Sequence, residues 1–540
     1  MTISSLERYR RTQVFLASGK SAAELRSLGG GATQFSIAGG NPQASVRQTD
    51  VSLYFQDEWK VRPNFTLSPG LRYENQTNIE SNWNFAPRIA FAWSPASGRK
   101  KQPEIKTSTP APPGTSATAA AKPTGPVPPK QSKTVIRGGM GIFYNRIQEG
   151  LVLDARRFNG FNQRQFVVTD PAVLNSFPVP PLISALDAFA QPQTRRLLGL
   201  NLAPPLSLRA SFTVERQLPH GMRLTLGYSH SHTLRSGRTV NINAPLAGTF
   251  NPAVPTSGVR PMGPAAGNIL ESQSSGRSVN DSLNVNLNGN TKRFNFGVSY
   301  SFGKSRSTDG GTSGSSFNPY DFSNEWGRAG FDARHFLWAS AGYQARHGFS
   351  LNGFIVANTG RPFNLTTGRD TNGDTFFSER PAFATDLSKP GVVVTPLGAF
   401  DPNPAPGQRI IPRNLGQGPG FVSLNIGASK TIRFGPAIAP KSPPPAGAGN
   451  VVTTSGNVVT TTASAPKKPE KPVVQRPYQL SFSIFASNAL NHANKGNPVG
   501  NMASPSFLKS TTTSNTSFFG PGGGGSGGNR QLTLRVRFSF

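Results

Sequence analysis

Asp370, Asn372 and Asp374, in the stretch D-T-N-G-D, put three oxygen-bearing side chains at alternate positions. This 1-3-5 spacing suits a hard cation such as calcium, because carboxylate and amide oxygens on a tightly turning loop converge on one point. An EF-hand loop has Gly at the sixth position and Glu at the twelfth; this chain has Thr375 and Pro381 there. An Asx-rich turn uses the same residues without a metal. The expectation is therefore an Asx-rich turn on an outer loop, with a weak calcium site at Asp370, Asn372 and Asp374 as its alternative. The histidines, His220, His230, His232, His335, His347 and His492, are scattered. His230 and His232 share a strand face, but no acidic neighbour in sequence completes a metal site with them. Residues 521–528 (PGGGGSGG) have linker composition with no helix after them, so they do not form a phosphate cradle. Cysteine is absent, which removes disulfides and thiolate metal sites. No Ser/His/Asp set stands in a motif context. Neither an enzyme nor a bound cofactor is expected.

The elements that carry these residues are strands. The last ten residues (QLTLRVRFSF) alternate perfectly: Leu532, Leu534, Val536, Phe538 and Phe540 fall on one face, and Arg535 and Arg537 on the other. The same period-2 pattern returns in Leu206–Glu215, Met222–Ser229, Leu283–Leu287, Phe294–Phe302 and Leu480–Ile484. Candidate strands lie near 32–39, 50–60, 64–74, 85–94, 134–144, 206–217, 221–232, 281–290, 293–303, 334–346, 349–358, 420–434, 477–488 and 530–540, about fourteen in all. Most are about 9–11 residues, the length that crosses a bilayer obliquely. Soluble strands are usually shorter. Arg137, Arg209, Arg223, Arg535 and Arg537 occupy the face opposite the apolar stripe, which in a membrane barrel is the lumen. The reading is an all-β, antiparallel transmembrane barrel in the outer membrane of a Gram-negative bacterium. Trp59, Trp83, Trp93, Trp326 and Trp338, with Tyr54, Tyr73, Tyr144, Tyr228 and Tyr343, suit its interfacial girdles. Outer-membrane lipid is the expected solvent of the apolar face.

Composition agrees. Apolar residues make up 35% of the 540, as expected of strands that meet lipid only at every second position. No apolar run reaches the length of a transmembrane helix. The formal charge of +31 first suggests nucleic acid. The arginines, however, stand singly in alternating strands without any zinc-finger, helix-turn-helix or RNP pattern, so no nucleic-acid partner is expected. A soluble basic polysaccharide- or nucleic-acid-binding β protein is the rival class.

The connections sort by side. With Phe540 in the periplasm, the turns at Arg62-Pro63-Asn64, Leu218-Pro219-His220-Gly221, Asn290-Thr291-Lys292 and Arg346-His347-Gly348 fall inside, and all are tight. The connections near 145–205, 233–280, 304–333, 359–419 and 489–529 fall outside, and all are long. Short inner turns with long outer loops mark outer-membrane barrels. Two Pro/Ala/Lys-rich insertions, near 95–133 and 435–476, break the rule on the inner side and cannot bury a core. The N-terminal stretch lacks the apolar region of a secretory signal. Because such a barrel must be exported, this chain is expected to be the C-terminal part of a longer protein. Residues 1–30 would then be the remnant of a preceding barrel strand or loop, and 31–540 the barrel.

Several stretches resemble the barrel of Oar-like TonB-dependent receptors. They include 48–61 (QTDVSLYFQDEWKV), 67–74 (LSPGLRYE), 86–95 (APRIAFAWSP) and 136–144 (IRGGMGIFY). Further along come 331–335 (FDARH), 360–364 (GRPFN), 370–374 (DTNGD), 414–421 (NLGQGPGF) and 485–492 (FASNALNH). The terminal strand is similar to the signal, centred on Phe538 and Phe540, that the barrel-assembly machinery reads. The resemblance implies an outer-membrane receptor that binds a ligand at its outer loops and imports it with energy delivered through TonB. Receptors of this type have about 22 strands, and their plug, TonB box and N-terminal carboxypeptidase-like domain have no counterpart here. TonB is a partner only where those parts are present. The alternatives are a structural or adhesive barrel without transport, and a non-functional gene fragment.

Overall fold

The computed structural model describes residues 5–95, 132–175, 182–188, 193–254, 257–308, 318–405, 407–436, 454–455, 458–459, 476–514 and 528–540. The alternating segments form an antiparallel meander. Its first strand, β1, runs as Asp50–Gln56 and Trp59–Arg62, with a register irregularity between Trp59 and Arg62. Then follow β2 (Phe65–Gln76), β3 (Phe85–Trp93), β4 (Thr134–Tyr144), β5 (Leu206–Gln217), β6 (Met222–Asn241) and β7 (Asn268–Asn290). The rest are β8 (Phe294–Ser307), β9 (His335–Gln344), β10 (Phe349–Asn358), β11 (Phe421–Phe434), β12 (Tyr478–Ser487) and β13 (Gln531–Ser539). Each pairs antiparallel with the next. Among the described residues β1 and β13 do not pair with each other, so the sheet is open.

All odd strands run toward one end of the sheet, where the tight turns lie. Two of these turns are near-copies. In Pro219-His220-Gly221-Met222, His220 has φ 58° and Gly221 φ 73°; in Arg346-His347-Gly348-Phe349, His347 has φ 58° and Gly348 φ 76°. Positive φ at both central residues is the two-residue hairpin turn whose twist matches the flanking strands. At Gly348 a Cβ would lie 2.2 Å from the Thr431 carbonyl oxygen, so only glycine fits. The flanks of the two Pro-rich insertions, Trp93 opposite Ile136 and Phe434 opposite Tyr478, sit at this same end. The insertions lie almost wholly outside the described residues, apart from two short paired strands, Thr454–Ser455 and Val458–Val459.

The order and extent of the elements differ from the sequence reading in three places. The strand expected at 32–39 exists as Phe35–Gly40 but is not part of the wall. It pairs with Gln163–Val168, which pairs with Gln193–Leu198, and that strand lies parallel to the outer end of β7. Residues 5–17 and 22–27, expected as a strand or loop, are helices. Strands β6 and β7 are far longer than their apolar stripes and stand above the wall at the loop end. Among the described residues no helix is long and apolar enough to cross a membrane.

Among the described residues, the two buried apolar clusters belong to this loop end. One gathers Phe166, Val168, Val173, Leu174 and Leu186; the other gathers Phe363, Leu365, Phe400 and Ile411. The wall instead leaves its apolar stripe exposed, with Phe212, Leu226, Leu283, Phe302, Leu351 and Phe482 all open to the surroundings. A surface of this kind is stable against hydrocarbon, where strands must satisfy their backbone groups by pairing with their neighbours.

Candidate functional site

Two features could carry function: the polar face of the wall and the loop layer above its open end. Register fixes the first. Arg137 lies opposite Thr213, Gly141 opposite Arg209, and Arg223 opposite Gln217, so these arginines share one face. Arg535 and Arg537 lie opposite Ser483 and Ser481 on that same polar side. Glu215 sits between two of them, 3.3 Å from Arg137 and 3.3 Å from Arg223. Arg209 rests over the Phe143 ring, while Arg535 and Arg537 form no ion pair among the described residues. The face continues with Asn284, Asn286 and Asn288 of β7 opposite Ser301, Ser299 and Gly297 of β8. Glu74 holds Arg72 at 2.7 Å, with Arg88 at 4.0 Å. Cations therefore outnumber acids here, but the central part of the ladder is partly neutralised.

Two girdle residues belong elsewhere. Tyr54 lies opposite Arg72, and Trp338 opposite Ser299, so both are on the polar face. Phe336 and Phe354 share that face with Trp338. Tyr73, Tyr144, Tyr228, Tyr343, Trp59 and Trp93 stay with the apolar stripe. At the chain terminus Phe538 packs against Phe434 and Tyr478, and Phe540 is 92% exposed.

The loop layer is tied by buried polar groups. Glu325 is 2.5 Å from Arg413 and 3.7 Å from Arg380, with both Glu325 and Arg380 almost wholly buried. Arg380 also donates to the carbonyls of Ile411 and Asn324. Asp332, from the FDARH stretch, accepts from the Ser305 amide, Arg328 and Arg334. Charges so deeply placed are tolerable only when paired and hydrogen-bonded.

The D-T-N-G-D stretch lies in the same layer, between β10 and β11. Asp370 accepts from the amides of Gly373 (2.6 Å) and Thr375 (2.9 Å). Asp374 accepts from the Phe376 amide at 2.7 Å. Asn372 is turned to its own loop: its Oδ1 accepts from the Asp374 amide and its Nδ2 donates to the Asp374 carboxylate. Thr375, at the place where an EF-hand has glycine, takes φ 71°, a conformation unusual for a β-branched residue. The third carboxylate is one that spacing did not reveal. Glu379 brings an oxygen within 4.8 Å of those of Asp370 and Asp374. Its Oε1 accepts from the Thr371 amide at 2.9 Å, while its Oε2 is buried with no hydrogen-bond partner. Burial pushes the Asp374 carboxyl up to about 7, and burial followed by the two aspartates pushes Glu379 up as well. Asp374 is joined to the outer end of β6 through its carbonyl, which accepts from Asn241. Arg260 donates to the carbonyls of Gly373 and Asn243.

His230 has the acidic neighbour that the local sequence lacks. Asp281, on β7, is 2.8 Å from its Nδ1 and also accepts from Tyr228. Cross-strand register supplies this contact over 51 residues of chain.

A family model described as the outer membrane beta barrel domain matches residues 12–84 and 125–437. No curated protein matches the chain. Among solved structures it is similar to the outer membrane transporter YddB from Escherichia coli, at 10% identity and a TM-score of 0.48, over 91% of this chain and 45% of that one. It is also similar to a mutant of the ferric enterobactin receptor PfeA from Pseudomonas aeruginosa, at 9% identity and a TM-score of 0.43, over 91% and 45%. The FrpB iron transporter from Neisseria meningitidis aligns at 10% identity and a TM-score of 0.37, again over 91% and 45%. The chain thus spans less than half the length of these proteins.

Proposed function

Because this chain belongs to the outer membrane beta barrel domain family, an outer-membrane family that is not enzymatic, we propose that it forms the wall and outer loop layer of a TonB-dependent receptor. In this reading a ligand is bound at the loop layer, passes the polar face and enters the periplasm. The observation that carries it is the division of the molecule: tight turns at one end, and at the other long connections that build cores of their own. A barrel serving only as a wall has no need of such a layer, whereas a receptor needs a structured surface for recognition. The ordered run of motifs resembling Oar-like receptors supports the same subtype. Asparagines and partly neutralised arginines on the polar face suit passage of a polar or anionic ligand. The domain reading follows: residues 31–540 make up the barrel, with the Pro-rich insertions on its periplasmic side, and residues 1–30 precede it.

The proposed partners are outer-membrane lipid on the apolar face, the barrel-assembly machinery at Phe538 and Phe540, and TonB through other parts of a receptor. Deleting Phe538 to Phe540 tests the insertion step, since it removes the terminal aromatic pair from the edge strand. The truncated protein should disappear from outer-membrane fractions and be degraded in the periplasm. Undiminished outer-membrane levels would count against it.

A further inference from the structure

We propose that Asp370, Asp374 and Glu379 bind one calcium ion that fastens the β10–β11 loop into the outer layer. The three residues reach the same point from different parts of the loop. Asp370 and Asp374 sit on the turn itself, and Glu379 comes back from beyond it, adjoining the buried Arg380. Two oxygens on opposite sides of a calcium ion are about 4.6–5.2 Å apart. The three carboxylates, each offering an oxygen within 4.8 Å of the others, therefore fit around one ion.

The decisive detail is Glu379. Its side chain is buried, at 3% exposure, and directed at the two aspartates, yet its Oε2 has no hydrogen-bond partner. A buried carboxylate oxygen left unsatisfied is costly, and a neighbouring pair of carboxylates makes it more so. No lysine or arginine forms an ion pair with Asp370, Asp374 or Glu379 among the described residues. Arg260, the cation beside the turn, lies in electrostatic range of Asp370 but spends its hydrogen bonds on the carbonyls of Asn243 and Gly373 and on the Asn268 side chain. Ionised together, these three carboxylates would put up to three negative charges at one buried point with no ion-paired cation among the described residues, and a divalent cation is what such a set can hold.

The donor set selects the ion. All donors are hard oxygens, with no histidine or cysteine, which disfavours zinc. Magnesium requires a small, regular octahedron and gives up its water reluctantly, whereas calcium accepts irregular oxygen cages built on loops. The left-handed Thr375 and the amide bonds to Asp370 already hold the turn in the shape that such a cage needs. Since Asp374 and Gly373 also receive Asn241 and Arg260 through their carbonyls, an ion here would cross-link the β10–β11 loop to the β6–β7 loop. Calcium binding at this point does not depend on whether the barrel transports anything.

The test uses the full chain refolded in detergent, stripped with a chelator and titrated with calcium chloride by calorimetry. Heat-modifiable gel mobility reports barrel folding separately. The expected result is one saturable site, weakened at least about tenfold in Asp374→Asn and Glu379→Gln, unchanged in Asp386→Asn, and not reproduced by magnesium. Folded wild-type protein without saturable binding would overturn the proposal, as would wild-type affinity in a folded Glu379→Gln variant. Should both variants fail to fold, limited proteolysis of the wild type decides. Slower cleavage within 359–419 when calcium is added supports the site, and cleavage indifferent to calcium overturns it.

Discussion

The wall and the outer loop layer draw on the same residue types but hide them in opposite directions. In the wall, Phe212 is 47% exposed and Phe482 45% exposed, while serines, asparagines and arginines fill the other face. In the loop layer Phe166 and Phe400 are fully buried, and so are charged groups such as Arg380 and Glu325. The wall is arranged for hydrocarbon outside and water within. The loop layer is arranged as a water-soluble domain would be, with an apolar centre and paired internal charges. One chain thus follows two sets of folding rules, and the boundary falls where β6 and β7 outrun their apolar stripes.

The contrast predicts that equivalent substitutions have unequal effects. The largest belongs to Glu325→Ala, which leaves Arg380 and Arg413 without their shared carboxylate. Breaking such a buried pair costs about 3–5 kcal/mol. Hydrogen exchange over 318–335 and 379–415 should rise sharply while gel mobility of the folded wall is kept. Phe400→Ala should cost about 3 kcal/mol or more in denaturant unfolding of the loop layer. Phe212→Ala should cost much less, because lipid or detergent fills the space. Equal losses for the two phenylalanines would erase the distinction between the regions. Phe212→Arg turns the test around: a cation on the apolar stripe should cost about 2–4 kcal/mol in a lipid bilayer, whereas Ser211→Arg, on the polar face, should be tolerated. The smallest effect expected is that of Thr375→Gly. Relieving the left-handed β-branched residue should stabilise the turn by up to about 1 kcal/mol, seen as slower proteolysis within 359–419.

The wall was readable from sequence because lipid imposes period 2 on every strand that touches it. Thirteen of the fourteen expected segments are wall strands for that reason, from Asp50–Gln56 to Gln531–Ser539. The exception, Phe35–Gly40, has an alternating pattern but pairs in the loop layer, and nothing in a single strand tells which sheet it joins. The outer parts of β6 and β7 carry no such signal, because above the membrane both faces meet water or protein and the alternation fades. Trp338 falls on the polar face because cross-strand register, which residue type does not reveal, decides the side an aromatic ring takes. At the acidic centre, Asp370 and Asp374 could be found by spacing. Glu379 could not, for it follows no fixed interval and arrives only through the fold of the loop. Asp281 beside His230 was hidden in the same way, its contact made across strands.

The orientation of the two regions across the outer membrane is the central claim, and impermeant maleimide labelling tests it most directly. The chain has no cysteine, so each variant carries a single thiol. Ser388→Cys places it on the exposed β10–β11 loop, and Lys292→Cys places it in the tight turn between β7 and β8. In intact cells Ser388→Cys should be labelled and Lys292→Cys spared until the outer membrane is opened. Labelling of Lys292→Cys alone, or of both without opening the membrane, would contradict the account.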